Sequence, residues 1–174
     1  RGETISDSAK VLSRYLSGIL IRTYDHKEVI ALAEHATIPV INGLTDFNHP
    51  VQILSDIFTI KEKLGRIEGV KVAYVGDGNN VAYSWMTGAS VMGMDLTIAA
   101  PKSCQPHPTP FIGTKGNVEV VEDPFEAVQN ADVIYTDVWI SMGDEDNAEI
   151  KKKLLLPYQI NQKLVDSAKK DVMV

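Results

Sequence analysis

Apolar positions along this chain alternate between two spacings. Dense runs rich in Val and Ile read as buried strands: GILIRT, IPVING, VKVAYV, DLTIAA, VEVV, ADVIYT and the closing DVMV. Between them, apolar residues recur every three or four positions. SDSAKVLSRYLS predicts a helix over 6–17, capped by Ser6, with Ala9, Leu12, Tyr15 and Leu16 on one face. DHKEVIALAEHAT predicts another, with Val29, Leu32 and Ala33 inward. The longest covers 50–64: Pro50 suits its first turn, Ile53, Ile57, Ile60 and Leu64 form the stripe, and Gly65 and Gly69 close it. NVAYSWMTGASVMGM, DPFEAVQNA and the polar run 145–168 complete the helices.

Strands that alternate with helices imply an α/β fold of open parallel sheets with helices on both faces. The long helix is the natural boundary. It predicts a partial first domain over 1–48, a connecting helix over 49–65 and a Rossmann-like second domain over 66–174. DVMV is expected to be a strand whose carboxyl end coincides with the end of the sequence. Ligands gather beyond such ends, so the second domain is expected to be incomplete there.

Composition narrows the possibilities. The 174 residues are 44% hydrophobic and 23% charged, as in soluble globular proteins. A formal net charge of −6 without a basic stripe argues against nucleic acid as a partner. No apolar run approaches the ~20 residues that span a bilayer, and RGETISDSAK lacks a secretory layout; a cytoplasmic protein without a membrane partner is expected. Cys104 is the one cysteine, which excludes an internal disulfide and a cysteine-type zinc site.

Candidate chemistry begins at VGDGNNV, between a strand and a helix. Gly76 and Gly78 fit a dinucleotide loop, but position 81 is Val, and the next strand ends in Pro101 and Lys102 rather than an acid. No Gly-Lys-Ser/Thr follows. Asp77, Asn79 and Asn80 instead stand at a helix N-terminus, where amide donors and backbone N–H groups suit a carboxylate. Capping by Asn79 or Asn80 alone is the other reading.

NHPVQ sets His49 and Gln52 three apart at a helix start, facing the same way. His can donate to a polarised carbonyl oxygen, and Gln can both donate and accept, which fits a carbonyl bearing an NH₂. In TDVWISMG, Asp137 follows a strand and can pair with an ammonium group, or it satisfies local backbone as a turn residue. Arg22 ends ILIR, where its planar fork suits a phosphate or carboxylate; a surface ion pair is the alternative. DEDNAE reads as a solvated acidic stretch with no metal.

NGLTDFNHPVQ, VGDGNN and TDVWISMG, in that order and spacing, resemble the ornithine carbamoyltransferase family, and RGETISDSAKVLSRY is similar to it as well. The resemblance covers nearly the whole chain. It implies a carbamoyl-phosphate domain joined to an ornithine domain, and transfer of a carbamoyl group from carbamoyl phosphate to the δ-amine of L-ornithine, giving citrulline and phosphate. No metal or organic cofactor is implied. Carbamoyl phosphate would be held by Arg22, His49, Pro50, Val51 and Gln52, with Arg22, His49 and Gln52 catalytic. Ornithine would be held by Asn80, Asp137, Ser141 and Met142. The resemblance also implies a homotrimer or larger homo-oligomer.

The family's Ser-Thr-Arg-Thr-Arg phosphate loop and His-Cys-Leu-Pro segment are absent from these residues and are expected upstream and downstream of them. Cys104 does not match the second. The stretch 101–117 is shorter and richer in Pro than the family pattern. The 174 residues alone are therefore expected to turn over little, and a non-catalytic amino-acid-binding relative is the alternative.

Overall fold

The computed structural model describes residues 2–106, 115–140 and 147–174. Helix α1 (Ile5–Leu12) packs on α2 (His26–His35), and α2 connects the parallel strands β1 (Ile19–Arg22) and β2 (Val40–Leu44). Thr4, not Ser6, caps α1. Its hydroxyl accepts the Asp7 N–H at 3.2 Å and donates to the Asp7 carboxylate at 2.7 Å, so Asp7 completes a reciprocal cap and Ser6 falls inside the helix. The helix stops at Leu12, short of the expected span. Tyr15 and Leu16, expected on its inner face, are exposed, and so is Ala33 of α2.

Helix α3 (Pro50–Leu64) follows its sequence closely. Pro50 takes a first-turn position whose N–H would have no helical partner. Gly65 ends the helix in the left-handed region at φ 71°, and its N–H donates to the Lys61 carbonyl at 2.9 Å. Ile53, Ile57 and Ile60 are buried, while Leu64 is only partly so.

That Ile stripe packs on a four-stranded parallel sheet ordered β5–β4–β3–β6, built from β3 (Lys71–Val75), β4 (Asp95–Ala99), β5 (Val118–Val121) and β6 (Val133–Tyr135). Alternation along β3 supplies two cores. Val72 and Tyr74 face α3 and α4 (Asn80–Met92), together with Leu96, Ile98 and Trp85. Ala73 and Val75 face the other way, toward Ala127 of α5 (Pro124–Ala127) and Leu164. Helices thus cover both faces, as the pattern implies.

Three further elements depart from expectation. DPFEAVQNA yields only the single turn of α5, after which Asn130 adopts φ 60°. The run 145–168 splits into α6 (Ala148–Leu155) and α7 (Gln162–Val165), because Pro157 sits in an intervening 3₁₀ turn and Asn161 caps a fresh helix start. DVMV is not a strand. Met173 alone bridges to Val133, accepting the Ile134 N–H at 2.8 Å and donating to the Asp132 carbonyl at 3.0 Å.

From β3 the chain moves to β4 and β5 on one side, then returns to add β6 on the other. The crevice beyond the carboxyl ends of β3 and β6 is therefore a topological switch point, where open α/β sheets take ligands.

Candidate active site

A cleft of about 700 Å³ opens at that switch point and extends to the carboxyl ends of β1 and β2. Arg22, His49, Gln52, Asn80 and Asp137 all line it, although they come from four separate stretches of chain. Pro50 and Val51 sit in the first turn of α3 but do not line the cleft. Ser141 and Met142 lie outside the described residues.

The glycine turn is its most constrained wall. Asn79 caps α4: its Oδ1 accepts the N–H groups of Val81 and Ala82 at 3.0 and 3.2 Å and the Tyr74 hydroxyl at 3.2 Å. Its Nδ2 then donates to Asp137 Oδ2 at 2.9 Å, which orients that carboxylate. Asn80 does not cap. Its Nδ2 donates to the buried Thr45 carbonyl at 2.8 Å, joining α4 to the segment that follows β2. Gly78 donates to the Cys104 carbonyl at 2.8 Å, and a Cβ there would stand 2.4 Å from Pro106 N. Backbone therefore fills the space where a dinucleotide's pyrophosphate would approach the second glycine.

Asp77 is 6% exposed and pairs with Lys151 of α6 at 2.7 Å. The lysine anchors α6 to the same turn that holds Asp137.

At the start of α3, the His49 backbone N–H donates to Ser84 Oγ at 2.7 Å, fixing that end of the helix against α4. His49 Nδ1 is buried without a hydrogen-bond partner among the described residues. Burial and then the Arg22 charge lower the His49 pKa, against smaller opposing effects of Asp137 and Asp56, so the ring is neutral near pH 7. Gln52 Nε2 donates to Asp56 at 3.0 and 3.3 Å, and Asp56 accepts the Tyr135 hydroxyl at 2.9 Å. Burial, reinforced by Asp56, raises the Tyr135 pKa strongly, so this phenol remains a donor.

The cleft thus offers a guanidinium, a neutral imidazole, an amide and an oriented carboxylate. That layout suits an anionic acyl donor facing an amine. Among the described residues no group of three His, Cys, Asp or Glu side chains could hold a metal, and no helix is long and apolar enough to cross a membrane.

Sequence reasoning missed Asp56, Tyr135, Thr45 and Lys151. Asp56 carried a local signal, since it lies one helical turn beyond Gln52. The others act across long separations in sequence and had none.

Fold and cleft together define a two-sheet α/β protein in which residues after strands of both sheets line one crevice. The chain belongs to the aspartate/ornithine carbamoyltransferase family: residues 1–62 match that family's carbamoyl-P binding domain, and residues 68–174 match its Asp/Orn binding domain. Similar proteins include the ornithine carbamoyltransferase of Thermococcus kodakarensis, 51% identical over 98% of this chain and 56% of that protein. The anabolic ornithine carbamoyltransferase of Pyrococcus furiosus is 52% identical over 99% of this chain and 57% of its own length. Among solved structures, ornithine carbamoyltransferase from Pyrococcus furiosus superposes with a TM-score of 0.89 at 50% identity, covering 99% of this chain and 57% of that one. The enzyme from Gloeobacter violaceus gives 0.86 at 40% identity, covering 98% and 59%. The chain spans a little over half the length of these relatives.

Proposed function

We propose that this chain carries the reaction centre of an ornithine carbamoyltransferase, which moves the carbamoyl group of carbamoyl phosphate to the δ-amine of L-ornithine and releases citrulline and phosphate. The observation that carries the reading is the convergence of Arg22, His49, Gln52, Asn80 and Asp137 on one cleft. Residues 1–48 would form part of the carbamoyl-phosphate domain, 49–65 the connecting helix and 66–174 the ornithine domain.

In this reading Arg22 pairs with the phosphate and, with neutral His49, stabilises negative charge on the carbamoyl oxygen. Gln52 meets the carbamoyl NH₂. Asn80 and, beyond the described residues, Ser141 and Met142 hold the carboxylate end of ornithine, and Asp137 pairs with its ammonium. The δ-nitrogen attacks the carbamoyl carbon, the bond from that carbon to the phosphate oxygen breaks, and a proton leaves the amine as phosphate departs. Each donor aimed at the developing oxyanion supplies ~3 kcal/mol, and holding both substrates in one crevice supplies the entropic part. Placement in arginine metabolism, a cytoplasmic location and a homotrimer or larger assembly extend the reading on the strength of the family resemblance.

The test is citrulline formation by the full-length protein from carbamoyl phosphate and ornithine. Ornithine binding without citrulline would favour the non-catalytic alternative, and binding of neither substrate would overturn both. The 174 residues alone are expected to form citrulline far more slowly than the full-length protein.

A further inference from the structure

A glutamine that reads an NH₂ must present its oxygen, yet its amide can lie either way round. Something has to choose. Gln52 is exposed in the cleft, and packing does not fix its amide. One helical turn along α3, Asp56 stands beneath it, half-buried, and takes Gln52 Nε2 on Oδ1 at 3.0 Å and on Oδ2 at 3.3 Å. An ionised carboxylate only accepts, so it binds the NH₂ half of the amide and turns Oε1 away. From the second sheet, the Tyr135 hydroxyl donates to Asp56 Oδ2 at 2.9 Å and holds the carboxylate in that pose. Tyr135 is itself wedged between Tyr74, stacked at 5.8 Å between centroids, and Trp85, edge-on at 5.0 Å.

We infer that Asp56 is a positioning residue, fixed by Tyr135, which sets the Gln52 amide so that its oxygen accepts from the NH₂ of the acyl donor. This rests on the functional reading above, which supplies the NH₂. It also makes recognition of a group bound at α3 depend on a phenol from β6.

Asp56→Asn changes almost nothing in shape. Tyr135 still donates to an oxygen at the outer position, which leaves the new NH₂ facing Gln52 and draws Oε1 toward it. Gln52 Nε2 then turns into the cleft and opposes the substrate NH₂, donor against donor.

The test is binding by the full-length protein of carbamoyl phosphate against acetyl phosphate, which carries a methyl group where the first has NH₂, with inorganic phosphate as reference. Wild type prefers carbamoyl phosphate. D56N lowers that preference about tenfold or more, the scale expected when a site built for a hydrogen bond meets the wrong partner, while phosphate affinity holds. Y135F, which frees the carboxylate to swing, gives a smaller loss. The double variant D56N/Y135F recovers part of the preference, because the Asn amide can turn over.

An unchanged carbamoyl-to-acetyl ratio in D56N would overturn the assignment and leave the functional reading intact. Equal weakening of all three ligands would also overturn it, since that is the mark of a merely structural role. A wild type that binds acetyl phosphate as well as carbamoyl phosphate would overturn the functional reading itself, and the assignment with it.

Discussion

The side chain of Asn80 donates to the backbone carbonyl of Thr45 at 2.8 Å, so a residue of the cleft ties one sheet to the segment leaving the other. The amide NH₂ carries two hydrogens, so it can serve Thr45 and an ornithine carboxylate together. Asn80→Ala removes the donor from both. It is expected to raise the KM for ornithine at least about tenfold, and to lower stability by about 1–3 kcal/mol because the buried Thr45 carbonyl loses its donor. Steady-state kinetics and urea denaturation would check the two effects separately.

The depressed pKa of His49 makes a signed prediction. Burial, and then Arg22, disfavour the imidazolium in the folded protein. The unfolded chain therefore binds the proton more readily. The stabilising contribution is full above the unfolded value near 6.5 and is lost as pH falls through the folded value. Replacing Arg22 with Gln removes one cause, so the His49 titration seen by proton NMR should move upward. An unchanged or lower value would count against the coupling.

Lys151 and Asp77 form a pair whose side chains are 16% and 6% exposed. Lys151→Met leaves a buried carboxylate without this counter-charge and should cost about 3–5 kcal/mol. Asp77→Asn in the same chain should return much of it, because the uncompensated charge is gone. Chemical denaturation of the two single variants and the double closes the cycle; strictly additive losses would show that the two side chains are not coupled.

Gly78→Ala should be destabilising by about 1–3 kcal/mol or more, since the new methyl would lie 2.4 Å from Pro106 N and 2.5 Å from the Cys104 carbonyl oxygen. Both contacts are backbone, so relief requires the loop to move away from the turn. A melting temperature equal to wild type would show that the loop yields easily.

Much of this fold could be read locally. Pro50, the Ile53-Ile57-Ile60 stripe and Gly65 all act within α3 itself, so its limits were legible to the residue. The end of the chain was not, because Val and Met favour extended backbone whether or not a neighbouring strand exists, and only Met173 finds one. Ser6 and Thr4 are both competent hydroxyl caps; the reciprocal bond to Asp7 decides for Thr4. In the site, residue types with strong chemical character announced themselves at strand and helix ends, and the cleft brings together Arg22, His49, Gln52, Asn80 and Asp137. What they bind in the protein was hidden. Asn79 and Asn80 are adjacent and chemically identical, yet the cap residue turns to Asp137 and the first helical residue to Thr45.

The position of β6 beside β3 has a consequence for how the protein is made. The strands that pair there are separated by α4, β4, β5 and α5, so their union closes a long loop of chain whose entropic cost comes before any contact rewards it. During synthesis the glycine turn emerges well ahead of its partner. Its bond from Asn79 to Asp137 can close only after β6 has been made. The crevice, and the part of the α3 core that rests on Val133 and Tyr135, are therefore expected to be completed only when β6 docks.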